Sequence, residues 1–83
     1  MGLRKRAPAS EAGNALRDQF AHNVRRLRTQ RGLTQLELAH SAGLGRSFVS
    51  QLESGHFSAT LETVAALARA LGVTPSLLLS ARF

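Results

Sequence analysis

Four polar side chains between positions 46 and 51 have the types and spacing needed to recognise base edges. The set is Arg46, Ser47, Ser50 and Gln51. The spacing i, i+1, i+4, i+5 places them on one face of a helix. Arginine can pair with O6 and N7 of guanine, and glutamine with N6 and N7 of adenine. Val49 and Leu52 already supply a buried side, so a helix that only packs would have little use for this set. An ordinary solvated face is the alternative interpretation.

The residues around this set predict two short helices joined by a tight turn. Thr34 and Glu37 have the spacing of a capping box, which predicts a helix from Gln35 to about Ser41. Gly43 can adopt the positive φ that a sharp corner between helices requires. The second helix is predicted over residues 46–53. Two helices in this arrangement are typical of a helix-turn-helix unit.

Three further helices are predicted from apolar periodicity and from start and stop residues. The first begins at Asn14 and ends at Gly32, the fourth follows Thr60 and ends at Gly72, and the fifth begins at Pro75. The first helix has an apolar stripe of Leu16, Phe20, Val24 and Leu27. The fourth helix has a stripe of Leu61, Val64, Leu67, Ala68 and Leu71. No strand pattern appears, so the predicted fold is all-α, with five helices in a compact bundle.

Composition narrows the classes of function. The 83 residues predict one domain. The net charge is +6 and ten of the 11 basic residues are arginine, which favours a nucleic-acid partner. The alternative is that the arginine content only follows from genome base composition. There is no cysteine, tryptophan or tyrosine, which argues against thiolate metal sites and against aromatic platforms for single strands. The three histidines share no ligand spacing, so no metal is expected. No apolar run approaches the roughly 20 residues that span a membrane.

Three stretches of the chain resemble a known family. The stretches "RGLTQLELA", "FVSQLESG" and "LETVAALARALGV" are similar to the lambda repressor/Cro (Xre) type of helix-turn-helix domain, and the resemblance covers residues 20 to about 79. It implies a lambda-repressor-like fold, binding to double-stranded DNA, and homodimers on two-fold related half-sites. It also implies base contacts by the four polar residues of the third helix. Phosphate contacts are expected at Gln35, Gly45 and Ser54.

Two positions depart from the family pattern. Gly45 replaces the usual serine, threonine or aspartate as the N-cap of the third helix, so this position offers DNA no side chain. Ala59 replaces a common proline in the loop before the fourth helix. We therefore expect that loop to be looser, which weakens the case for backbone contacts to DNA from Phe57 or Ser58.

The two ends of the chain also contain candidate contact residues. Residues 1–12 are predicted to be a flexible basic arm, and residues 13–83 the DNA-binding domain. Arg4, Lys5 and Arg6 of the arm either enter a minor groove or remain solvated. At the other end, three adjacent leucines point in different directions, so one should be exposed. The predicted dimer interface is Leu78, Leu79 and Phe83. The alternative is that Leu79 and Phe83 only cover the first helix.

Together these features predict a sequence-specific, dimeric transcriptional regulator, most simply a repressor or autoregulator. The expected location is the cytoplasm, in association with the nucleoid. An antitoxin-type or other protein-interaction module, with DNA autoregulation secondary, is the alternative. No nucleophile with a base, no paired carboxylates and no phosphate-binding glycine loop supports an enzyme. No cofactor and no small-molecule ligand are expected. Glu53 is predicted to be structural, paired with an arginine of the first helix.

Overall fold

The structure is a computed structural model, and it describes residues 9–81. Its helices are α1 (Ala9–Gln30), α2 (Gln35–Ala42), α3 (Arg46–Glu53), α4 (Leu61–Leu71) and α5 (Pro75–Leu78). The described residues contain no strand, and the predicted all-α class with five helices is confirmed. α2 packs on α3 and α4, while α1 contacts α3, α4 and α5. The helix-turn-helix unit formed by α2 and α3 therefore packs on α4 through α2 and on α1 through α3.

Threonine side chains begin three of these helices. Thr34 Oγ1 accepts from the Glu37 amide at 3.0 Å, and Glu37 Oε1 accepts from the Thr34 amide at 2.8 Å. Thr60 and Thr74 accept from the amide three residues later, at 3.1 and 3.4 Å. Each cap satisfies an amide that has no partner inside its helix and contributes about 1 kcal/mol. The starts of α2, α4 and α5 are thus fixed by local sequence.

α1 begins earlier than its apolar pattern predicts. It starts at Ala9, five residues before Asn14. Glu11, Gly13 and Asn14 are exposed, so the side chains that the structure describes before Ala15 form no buried stripe. Of the arm predicted over residues 1–12, residues 9–12 are therefore helical, and residues 1–8 lie outside the described residues.

The core draws apolar side chains from all five helices. They include Phe20, Val24, Leu27, Leu38, Val49, Leu52, Val64, Leu67, Leu71 and Leu78. A fully buried side chain of this kind contributes about 1.5–3 kcal/mol. Two residues predicted on apolar stripes are not buried: Leu16 is 50% exposed and Leu61 is 81% exposed. Periodicity identifies the apolar face of a helix, but not where along its length the neighbouring helices end.

Within residues 9–81, no helix is both long enough and apolar enough to cross a bilayer. In the same part of the chain, every buried side-chain nitrogen or oxygen has a hydrogen-bond partner. The desolvation of these side-chain atoms is therefore offset in each case by a hydrogen bond.

Candidate nucleic-acid interface

α2 and α3 are joined by three residues whose backbone makes the predicted corner. Gly43 has a φ of 72°, and the Leu44 amide donates to the carbonyl of Ala39 at 2.8 Å. This bond closes the end of α2 and turns the chain. Leu44 is half-buried against the core. The angle between the two helices is thus held by a left-handed glycine and an apolar anchor.

The two faces of α3 differ: one is buried and apolar, and the other is accessible and polar. Val49 and Leu52 are fully buried. Arg46, Ser47 and Gln51 are exposed, and Ser50 is half-buried. The structure therefore brings the four predicted base-reading side chains to the accessible part of one eight-residue helix. A helix whose polar face is accessible to solvent can bind in a major groove and present that face to base edges.

Gln35 lies at the start of α2 and is held there by Glu53. Its Nε2 atom donates to Glu53 Oε1 at 3.0 Å. The same carboxylate accepts from Arg28 Nε at 2.7 Å and from Arg28 Nη2 at 3.0 Å. The expected pairing of Glu53 with an arginine of the first helix is present. An amide nitrogen has two hydrogens, so Gln35 keeps one for an outside acceptor.

Ser54 and Gly45, the other two predicted phosphate contacts, lie at opposite ends of α3. Ser54 is exposed, and its hydroxyl donates to the carbonyl of Ser50 at 3.0 Å. A hydroxyl has one hydrogen, so Ser54 must rotate before it can donate to a phosphate. Gly45 is exposed and makes no side-chain cap. The N-cap residue of α3 therefore offers the first-turn amides no side-chain acceptor.

The loop between α3 and α4 is tied at two points. The ring of Phe57 stacks on Phe48 of α3, with 5.4 Å between ring centroids. Arg17 Nε of α1 donates to Ser58 Oγ at 3.2 Å. Ala59 packs partly buried against the core. The loop that Ala59 was expected to loosen is thus attached to both α1 and α3.

The predicted dimer residues do not all reach the surface. Leu78 is fully buried in the core of its own domain, so its assignment to the dimer interface is wrong. Three adjacent leucines on a short helix point in different directions, and Leu78 points inward. Leu79 is 39% exposed. Phe83, like Arg4, Lys5 and Arg6 of the arm, lies outside the described residues.

Asn23 has a clear structural role that was not predicted from the sequence. Asn23 is 1% exposed, and its Nδ2 donates to the carbonyls of Leu78 and Ser80 at 2.9 and 2.8 Å. Its spacing could have predicted that it is buried, because Asn23 comes three residues after Phe20 and four before Leu27, on the apolar side of α1. A polar residue at such a position is buried with partners.

Comparison with known proteins supports this arrangement. The Helix-turn-helix family HTH_3 matches residues 24–78. The restriction-modification controller protein C.AhdI from Aeromonas hydrophila has a similar structure, with a TM-score of 0.74 and 39% identity over 77% of this chain and 97% of that chain. Relatives include a hypothetical transcription factor of Neisseria meningitidis, 40% identical over 58 residues, and the immunity repressor of Bacillus phage phi105, 38% identical over 53 residues.

The matched segments cover 70% and 64% of this chain, but only 55% of the Neisseria protein and 37% of the phage repressor. These proteins are named as a controller, a transcription factor and a repressor, in line with the prediction that the chain is not an enzyme. The family match spans more than half of the chain and includes α2, the turn and α3. The chain therefore belongs to the HTH_3 family of DNA-binding transcription regulators, the lambda repressor/Cro type that its sequence resembles.

Proposed function

We propose that this protein binds a specific double-stranded DNA operator through α3 and represses transcription from it, in the cytoplasm and on nucleoid DNA. The observation that supports this most is the division of α3 into a fully buried side, with Val49 and Leu52, and an accessible polar side. In this proposal Arg46, Ser47, Ser50 and Gln51 contact base edges. Gln35 and the backbone near Gly45 and Ser54 contact phosphates, which fixes register without reading sequence.

The proposal is tested by selection from random duplexes, followed by anisotropy titration of the selected DNA at two salt concentrations. A regulator should enrich a two-fold symmetric site with half-sites about one helical turn apart, roughly 34–36 Å. Binding should weaken steeply with salt because phosphate neutralisation releases counterions. No enrichment would contradict sequence-specific recognition and would favour the protein-interaction alternative, which a pull-down would then address.

Arg46→Ala is expected to weaken binding to the selected site by about 1–3 kcal/mol and to relax the preference at one base pair. The reason is the loss of a paired contact from the guanidinium to a base edge. Titration of the variant against the selected duplex and its single-base variants measures both effects. An equal loss on selected and random DNA would show that Arg46 does not read bases.

We further propose that two copies associate through an apolar groove beside α5. Its apolar lining residues are Leu16, Phe20, Ala59, Val64 and Leu79, and Arg17 and Ser58 also line it. Leu16 is 50% exposed and Leu79 39% exposed, and exposed apolar side chains that lie together are candidates for a contact with another protein. A two-fold axis would bring the same groove of each copy together.

Leu79→Glu is expected to convert a two-copy particle into a single copy, because it places a charge in the proposed apolar contact. Light scattering at tens of micromolar protein, without DNA, measures the mass. Leu36→Glu is the matched control, since Leu36 is 60% exposed and does not line the groove. A single-copy mass for the unmodified protein would contradict the dimer, whatever the variants show.

A further inference from the structure

Six of the seven arginine side chains within residues 9–81 divide into two groups, and the seventh, Arg26, also has a partner. Arg17, Arg28 and Arg31 donate hydrogen bonds inside the domain, to Ser58 and Asn14, to Glu53 and Leu33, and to Leu27. Within the described residues, a second group is exposed and makes no side-chain hydrogen bond or ion pair. This group is Arg25, Arg46 and Arg69. A cation with no partner among residues 9–81 is available to an external anion.

Two of these cations lie at opposite ends of α3. Arg46 is the first residue of the helix. Arg25, on α1, lines one depression together with Ser54 and Gly55, which follow the last residue of α3. A recognition helix lies in the major groove and contacts base edges with its N-terminal residues. A cation beside the C-terminal end of a helix bound in this way lies toward the sugar-phosphate backbone that borders the groove.

We infer that Arg25 binds a DNA phosphate beside the C-terminal end of α3. This inference rests on the proposed function, because it needs α3 in a major groove. A guanidinium matches the geometry of phosphate oxygens and can bind them in pairs. His22 lies one turn before Arg25 and lines the same depression. Arg25 thus adds a phosphate contact from α1, outside the helix-turn-helix unit.

Asp18 opposes this contact and offers a second way to test it. Asp18 also lines the depression, and its Oδ1 atom lies 2.9 Å from the position that a Cβ on Gly55 would take. Within the described residues no cation lies within ion-pair distance of Asp18, since the ion pair found there joins Arg28 to Glu53. The carboxylate charge is therefore not cancelled locally and repels an approaching phosphate.

The experiment compares Arg25→Gln with Arg69→Gln. Both replaced arginines are exposed and without partners within residues 9–81, but Arg69 lies in the last turn of α4. Anisotropy titrations use the selected operator and a random duplex at several salt concentrations. Arg25→Gln should weaken binding several-fold on both DNAs and make the plot of log affinity against log salt less steep by about 0.9 per protomer. Arg69→Gln should leave affinity and slope unchanged.

Asp18→Asn should tighten binding to both duplexes, and a scan of thermal unfolding should show that all three variants remain folded. Equal behaviour of Arg25→Gln and Arg69→Gln, with normal binding by the unmodified protein, would overturn the Arg25 contact alone. A loss confined to the selected operator would overturn it too, since a phosphate contact does not read sequence. Failure of the unmodified protein to bind any duplex would overturn the proposed function together with this inference.

Discussion

Replacing Arg28 with alanine is expected to lower the free energy of unfolding by about 3–5 kcal/mol, because a buried carboxylate loses its counter-ion. Arg28 Nε lies 2.7 Å from Glu53 Oε2, and the two side chains are only 12% and 3% exposed. Solvent therefore screens the pair weakly. Arg28 Nη1 also donates to the Leu33 carbonyl at 2.7 Å, so the substitution removes a contact to the α1–α2 turn as well.

Urea denaturation of the variant measures this loss, and Arg31→Ala is its matched control. Arg31 is exposed and donates only one long bond, 3.4 Å, to the Leu27 carbonyl. We expect a change within about 0.5 kcal/mol for an exposed substitution of this kind. Equal shifts of the two urea midpoints would show that the buried pair makes no special contribution.

A double variant separates the unpaired charge from lost packing. Arg28→Met combined with Glu53→Leu removes both charges and keeps apolar volume, so most of the stability should return. The double variant also removes the acceptor that holds Gln35 Nε2 at 3.0 Å. If Gln35 is positioned for a phosphate by Glu53, this folded variant should bind all duplexes more weakly, without a change in sequence preference.

The helix starts were predictable because their causes are local. Thr34 with Glu37, and Thr74 with Pro75, act on amides within three residues of themselves. The same holds for Gly43, whose positive φ ends α2. These signals need no knowledge of the rest of the fold. The start of α1 at Ala9 was missed because Glu11, Gly13 and Asn14 are exposed and give these turns no apolar pattern.

The polar face of α3 was predictable as a set, but the details of the site were not. Periodicity places Arg46 and Gln51 on one side of a helix. It cannot show that Gln35 shares the Glu53 carboxylate, nor that Arg25 comes beside Ser54, since these contacts join separate helices. Leu78 was misassigned for the same reason: adjacent leucines differ in burial only once the direction of a short helix is known.

Asn23→Leu is expected to destabilise the domain by about 2–3 kcal/mol, because it removes the donor from a buried carbonyl. Asn23 Nδ2 lies 2.9 Å from the Leu78 oxygen and 2.8 Å from the Ser80 oxygen. Its Oδ1 accepts from Gln19 Nε2 at 3.1 Å. Leucine has the same number and branching of side-chain heavy atoms as asparagine but is bulkier, so the loss combines the missing hydrogen bonds with some overpacking. Gln19→Ala, which removes only the last of these bonds, is the control and should cost less than about 1 kcal/mol.

The two bonds from Asn23 fasten the end of α5 to α1, so the loss should be concentrated there. Hydrogen exchange can locate it: the amides of Leu79 and Ser80, which donate to Ser76 and Leu77, should exchange faster in Asn23→Leu. The amides of α4 should keep their protection if the remainder stays folded. Uniform loss of protection would instead show that Asn23 supports the whole domain. Leu79 lines the proposed dimer groove, so local loosening in Asn23→Leu would also lower the particle mass in light scattering. That result would connect the buried side chain of Asn23 to assembly of the operator-binding dimer.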